Sequence, residues 1–510
     1  MKLLIILSII FSLSSAYSQT ELRTFKLGGS PTQAVPSSNS VSQILIRNGI
    51  AYLATNKGLN VSADGGNTFK TDWGTDGPTG VSVNAVAVEG DTIVVSASST
   101  FDQGGNSLPV GDGLYVSTDN GSTWKHEPQS VDSLSDTTVT FGKNVLKALP
   151  VTTDVDNISY SIVFHKGYLY TANFAGALRR SSDLGRTWQR VVMPPDYLDY
   201  ITQDSTYNFQ LSPISGKFTS ETNYNHEAFS LYSDGDSALY VGTADGIDKT
   251  TDNGYSWQKF NHQNQPGISG NFVVWITAQN YGTVHNIWAA TVNANDPTEV
   301  PALSYTSDDS AGWHHILSGH FFHSIGFNGP IVYGASDDGL FRTPDFGKSS
   351  TVLTGIIDPS NNQSILSQVF YSVNTSGDSV WLGTGDGTAI GTDPGGGFIA
   401  SLWRVLRTFS AVGATHTTYF YPNPFSPRLD VGRIHYDVQK PGSTVTVRIY
   451  DFSMRVVRTL LQNAPRPPGE TDDQWDGKDD TGNWVDNGVY FYSVVINNES
   501  PIWGKILVAR

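Results

Sequence analysis

Cysteine is absent from all 510 residues. A chain of this length without disulfides must be held together by its apolar core, and a lipid anchor carried on a cysteine behind a leader is excluded. Positive charge is scarce as well: 31 Lys and Arg face 47 Asp and Glu, for a formal net charge of −16. Only −1 of that falls from Thr417 onward, where 10 basic residues meet 11 acidic ones. An acidic body of this kind argues against nucleic acid and anionic membrane surfaces as partners. Charged residues of either sign make up 15% of the chain, and stretches of Ala, Glu, Lys and Leu at helical spacing are missing, which removes a helical fold from consideration. An H-E-x-x-H pair, a P-loop and an EF-hand loop are missing too. The adjacent His314 and His315 read as solvent or core residues, SDGDS (233–237) as a hairpin turn, and GTGDGTAIGTDPGGG (383–397) as a hairpin that does not precede a helix. No cofactor and no metal is called for.

What is abundant is glycine and aromatic residue: Gly 51, Trp 12, Tyr 23 and Phe 24 describe an all-β protein. At 510 residues the chain is also longer than one hydrophobic core sustains. The start, MKLLIILSIIFSLSSAYSQT, carries one Lys, an apolar run from Leu3 to Leu13 and small residues to Ser18. This is the pattern of a secretory leader, residues 1–18, cleaved after Ser18. The run is too short to span a bilayer, and no later segment reaches that length, so a transmembrane segment is not expected in the mature chain.

A ten-residue phrase recurs. VSTDNGSTWK (116–125) has close variants in VSADGGNTFK (61–70), SSDLGRTWQR (181–190) and TTDNGYSWQK (250–259), and weaker ones at 306–315, 342–351 and 391–400. Each follows a short apolar strand, a Gly turn and a second strand, as in IAYLATNKGLNVSADGGNTF. In such a hairpin the Asp carboxylate accepts backbone N–H bonds, the Gly supplies a positive φ, and the Trp or Phe leaves the turn as an apolar plug. Asp64, Asp119, Asp183, Asp252, Asp308, Asp345 and Asp393 are therefore structural staples. The phrase resembles the Asp-box, or BNR repeat, of sialidases and related β-propellers. Spacings of 55, 64, 69, 56, 37 and 48 residues between successive Asp suit a four-stranded blade with variable loops, and seven boxes imply seven blades.

A second column supports that count. Upstream of the boxes lie VSQILI, VNAVAV, ISYSIVF, HEAFSLY, GNFVVWI, FHSIGF and LSQVFY, each suited to the innermost strand of a blade. Their second residues, Ser42, Asn84, Ser159, Glu227, Asn271, His323 and Ser367, are all polar and are expected to ring one mouth of the central channel. Insertions at 127–156 and 191–225 should project over that face, the second bringing Tyr197, Tyr200, Tyr207 and Tyr224 among acids, which suits a sugar or a protein partner. A hydrated channel mouth and a ligand funnel both fit the ring.

The sialidase resemblance implies three arginines gripping a carboxylate. Before Thr417 the arginines are Arg23, Arg47, Arg179, Arg180, Arg186, Arg190, Arg342, Arg404 and Arg407, four of them on one hairpin and none in the ring column, so no catalytic residue carries over. A glycosidase needs two carboxylates. Glu227 is the single one in the ring, and Asp196 or Asp199 in the insertion could partner it. Photosystem assembly factors and sorting receptors are similar in their Asp-boxes, which implies binding without chemistry.

After Thr417 the composition changes. YPNPFSP (421–427) leads into the alternating strand STVTVRIYD, then VVRTLL, WDGKDDTGNWVDNGVYFYSVVI and WGKILVAR, a compact β-sandwich. It is similar to the Ig-like domain of flagellar hook-capping proteins and to the C-terminal sorting domain of the type IX secretion system, departing from the pattern at Met454-Arg455, where Gly-Arg is usual. The resemblance implies export through the periplasm and outer membrane by the type IX machinery, then release or anchoring at the cell surface. The expectation is an all-β chain: leader 1–18, a seven-bladed β-propeller over 19–416, and a small Ig-like β-sandwich over 417–510. It is read as a non-catalytic binding scaffold for a glycan or extracellular protein, with a glycoside hydrolase as the alternative.

Overall fold

The computed structural model describes residues 32–509 apart from 104–105, 213–222, 295, 308–311, 361–362, 366, 396–401, 409–417 and 498. The leader, the expected boundary at 416 and Asp308 lie outside the described residues. Seven sheets share one plan, four consecutive antiparallel strands paired in chain order. Their first strands are Val41–Arg47, Ser82–Glu89, Ser159–His165, Ala228–Asp234, Phe272–Tyr281, Phe322–Asn328 and Phe370–Ser376. Each of these packs against the next, and the last packs against the first, closing a ring. We number the sheets as blades 1 to 7. Blade 1 gains a fifth, outermost strand from Thr32–Gln33 and blade 4 from Tyr200–Thr202.

The second strands, such as IAYLAT, ALYVGT and IVYGAS, are almost wholly buried. Neighbouring blades cover both of their faces, which is why they read as continuous apolar runs and not as alternation. The apolar residues accordingly divide into layers between blades. Tyr52, Leu59, Val86, Val95 and Trp124 fill the layer between blades 1 and 2; Val41, Leu53, Phe69, Trp381 and Leu406 fill the one between 7 and 1. Blade 7 takes all four of its strands from one stretch of chain, so the ring closes through side chains. Asn374 Nδ2 donates to Ile44 O at 3.0 Å, and Arg404 donates to Asn67 Oδ1 at 2.7 Å and Gly65 O at 2.8 Å.

The hairpins of the repeated phrase lie between the third and fourth strands. Ser62 Oγ donates to Asp64 Oδ1 at 2.9 Å, the Thr68 amide donates to the same oxygen at 2.9 Å, and the Thr68 hydroxyl donates to Oδ2 at 2.7 Å. Asp119, Asp183 and Asp252 repeat this set, and so does Asp345, whose sequence is degraded but which keeps Thr343 and Ser349 as donors. Asp393 departs from the expected hairpin set. Buried in blade 7, it reaches back to blade 6, accepting from Tyr333 Oη at 2.6 Å and pairing with Arg342.

Thr418–Tyr421, Gly432–Val438 and Gly469–Trp475 form one sheet of the C-terminal Ig-like sandwich. The other runs Val456–Arg466, Ser443–Tyr450, Gly488–Ile496, Ile502–Val508. The YPNPF stretch lies along the final strand, with Phe425 N donating to Leu507 O at 2.8 Å. Met454 holds φ at +61°, the conformation that glycine usually supplies in this turn. The sandwich meets the propeller at turns of blades 7, 1 and 2. Lys57 pairs with Asp430 at 2.8 Å, Arg428 donates to Thr100 Oγ1 at 3.3 Å, and Gln474 Nε2 donates to Asp386 Oδ2 at 2.7 Å. Asp386 is fully buried between Arg407 of blade 7 and Arg433 of the sandwich.

Two outcomes follow from these staples. Asp393→Ala leaves the Arg342 guanidinium buried without its partner and should cost about 3–5 kcal/mol in urea unfolding. The hydroxyl and amide of Thr68 hold Asp64 at about 2, and the amides and hydroxyls of Thr123 and Thr187 hold Asp119 and Asp183 there as well, against an ordinary 3.8. A lowered folded-state pKa supports stability above 3.8 and withdraws it as the pH falls towards 2. In thermal scans across that window, Asp119→Asn combined with Asp183→Asn should show a shallower fall in Tm than the native chain.

Candidate functional site

Every inner strand carries a β-bulge just after its start. The bulged residues are Ser42, Asn84, Tyr160, Phe229, Val274, His323 and Tyr371, and they mark one face of the ring. A bulge frees one residue from the ladder and re-aims it. In four blades the residue that follows, Gln43, Ser161, Ser230 or Ser324, binds the next blade. Ser230 Oγ donates to Val273 O at 3.1 Å, Ser324 Oγ to Val373 O at 3.3 Å, and Ser161 Oγ accepts from Leu231 N at 3.1 Å.

Three of the seven residues expected at the mouth, Ser42, Asn84 and His323, occupy the bulge. The other four do not. Ser159 is buried and donates to Asn173 Oδ1 at 2.6 Å. Asn271 is buried in a loop, accepting from His262 N at 2.7 Å and donating to Gln263 Oε1 at 2.9 Å. Ser367 turns back on Val369, and Glu227 lies two positions ahead of the bulge. Ser42 is exposed and contacts Val83 O, Asn84 accepts from Ser98 Oγ at 3.0 Å, and His323 Nε2 faces Asp337 at 2.7 Å. Of the four bulged residues that sequence reasoning missed, Tyr160, Phe229 and Tyr371 are aromatic and Val274 is aliphatic. The signal for the aromatic ones is the Ser that follows, visible in Tyr-Ser-Ile, Phe-Ser-Leu and Tyr-Ser-Val and shared with the expected His323 in His-Ser-Ile.

The two insertions do not stand free over the face. Their apolar residues Phe141, Leu146, Met193, Ile201 and Phe209 bury together against Trp257 at the flank between blades 3 and 4. Tyr200 lies on the added outermost strand of blade 4, opposite Gln258, and Tyr207 packs between Phe141 and Phe209, so both lie away from the mouth. Asp196, Tyr197, Asp199 and Tyr224 do reach the face. With Asp245, Asn261, Gln263, Asn264, Asn271, Asp296 and Glu299 they line an open cleft of about 630 Å³ over blades 4 and 5.

The cleft is built on a buried lysine. Lys259 pairs with Asp245 and donates to Asp196 O at 2.5 Å and Pro195 O at 3.2 Å, which pins the insertion to the blade. The Asp196 carboxylate accepts from the amides of Tyr224 and Asn225 at 3.1 and 2.9 Å and so ties the two ends of the insertion together. Glu299 accepts from Asn271 N at 3.2 Å and Ala294 N at 2.6 Å. No arginine lines the cleft. Arg179 and Arg190 are committed to Asp132, Arg342 to Asp393, Arg404 to blade 1 and Arg407 to Asp386, while Arg23 lies outside the described residues. Burial, reinforced by the nearby Asp196, pushes the Glu227 carboxyl up to about 7.

The model of the FlgD Ig-like domain matches residues 429–500. No curated protein matches the chain. Among solved structures it is similar to YCF48 from Cyanidioschyzon merolae, at 18% identity over 70% of this chain and 97% of that one, with a TM-score of 0.39. It is also similar to a Niastella koreensis GH74 enzyme, at 12% identity over 93% and 73%, TM-score 0.48. A third is PorZ, described as a surface component of the type-IX secretion system of Porphyromonas gingivalis, at 13% identity over 92% and 87%, TM-score 0.23. Among the described residues no helix is long and apolar enough to cross a membrane.

The raised Glu227 sets a pH dependence. Between 4.5 and about 7 the unfolded carboxyl is ionised while the folded one keeps its proton, so stability falls as the pH rises through that window. Glu227→Gln removes the penalty. It should raise stability at pH 8 by roughly 1 kcal/mol, discounted for partial exposure, and leave it nearly unchanged at pH 4, as read by urea unfolding at the two pH values.

Proposed function

We propose that this chain is an exported surface or secreted protein whose propeller binds an extracellular glycan or protein in the cleft over blades 4 and 5. The open cleft carries the reading, because it gathers an exposed Tyr197, four amide side chains and five carboxylates in one concave site on a rigid ring. In this reading residues 1–18 are a leader, 19–416 the binding body and 417–510 the module addressed to the type IX secretion machinery. The match to the FlgD Ig-like domain supports the last assignment.

A second reading is favoured by one observation. A carboxyl held near 7 beside a second carboxylate is the pairing a glycoside hydrolase uses, with Glu227 as general acid and Asp196 as its partner. Asp196 already accepts two backbone amides, which suits a structural post better than a mobile base.

Incubating the full chain with a panel of complex glycans and plant or bacterial polysaccharides, followed by mass spectrometry and a retention assay, separates the two. The binding reading expects retention with no fragments from the native chain or from Glu227→Gln. Fragments from the native chain alone make Glu227 catalytic. If retention on both glycans and extracellular proteins is absent, the cleft is not a binding site.

A further inference from the structure

The bulges make a collar of rings around the channel mouth. Phe229 meets Phe272 edge-on at 4.5 Å, Tyr160 at 5.6 Å and Phe174 at 6.0 Å. Across the mouth His323 meets Tyr371 at 5.5 Å and Phe321 at 4.9 Å. These rings are not sealed in a core: Tyr160 is 40% exposed and Tyr371 37%. The collar adjoins the cleft along blades 4 and 5, where Phe272 directly follows the cleft residue Asn271 and Phe229 lies two residues after Glu227.

An apolar seat beside a negative cleft selects its occupant by charge. Among the described residues, Lys259 beneath the cleft is fully buried and spent on Asp245 and two carbonyls, so it offers nothing to a ligand. Five carboxylates line the cleft walls, and the chain before Thr417 holds nearly all of the −16 charge. A uronate or sulfated glycan is repelled by that field. A neutral glycan gains nothing from it, and Phe229 with Phe272 and His323 with Tyr371 pack edge against face, which turns part of their ring faces to one another and away from a sugar. An extended basic polypeptide gains twice, from cations over Asp199 and Asp296 and from an apolar side chain on the collar.

We propose that this face binds a basic polypeptide segment, its Lys or Arg side chains in the cleft and an aromatic or leucine anchor on the collar. The proposal rests on the reading of the cleft as a ligand site and names the class of ligand. Tyr197, at the cleft rim and 55% exposed, would cover the segment's backbone. Association is steered by the field, so it weakens with salt.

The test uses the full chain and three labelled probes in fluorescence anisotropy: a twelve-residue peptide of Lys and Phe, the same peptide with Glu for Lys, and a neutral β-glucan oligosaccharide. The Lys peptide should bind, about tenfold more weakly at 300 mM than at 50 mM salt. Asp199→Asn with Asp296→Asn should weaken it about tenfold and flatten the salt dependence. Tyr160→Ser with Tyr371→Ser should weaken it comparably and leave the salt dependence intact, with circular dichroism confirming that both variants fold. Equal binding of the Glu peptide overturns the proposal. Binding of the oligosaccharide alone overturns it while leaving the cleft as a ligand site, and binding of no probe, together with no retention in the glycan and protein panel, removes both.

Discussion

No blade of this propeller owns a core. The apolar faces of each sheet are buried only against the sheets before and after it, so the stability of every blade depends on the ring being closed. Blade 7 takes its four strands from one stretch of chain, and the layer at Val41, Leu53 and Trp381 closes the ring with Asn374 and Arg404. Lacking disulfides, the chain has no covalent alternative. Ser161, Ser230 and Ser324 follow from the same constraint: packed wedges leave backbone groups near the axis without ladder partners, and a short hydroxyl on the neighbouring strand satisfies them.

The repeat was legible because it is local. A carboxylate that caps a turn needs donors only two to four residues away, so Asp64, Asp119, Asp183 and Asp252 could be read directly, and Asp345 keeps its geometry because Thr343 and Ser349 preserve the donors. Asp393 could not be read in this way. Its partners Tyr333 and Arg342 lie 60 and 51 residues upstream, on another blade, and no local pattern announces them. The sandwich was legible for a related reason, since its alternation is a period of two on strands with one face buried.

The face was legible in part. Polar residues at the head of a strand suggested the mouth, and Ser42, Asn84 and His323 do occupy the bulges. Bulges shift the frame by a residue, however, and loops of unequal length run into blades 3, 4, 5 and 7, so a column counted from the apparent start of each strand slips at Ser159, Glu227, Asn271 and Ser367. The tyrosines of the second insertion divided for a different reason. Tyr200 and Tyr207 were drawn to the flank by Phe141, Phe209 and Trp257, a burial that depends on a separate insertion some sixty residues earlier in the chain.

The joint at Asp386 gives the molecule a front and a back. The sandwich rests on the turns of blades 7, 1 and 2, which belong to the same face as the cleft over blades 4 and 5. The sandwich therefore occupies one arc of that face and the cleft lies on another arc. For the ligand proposed above, that division makes the ring a berth with a heading, so the direction of approach counts as much as the chemistry of the ligand.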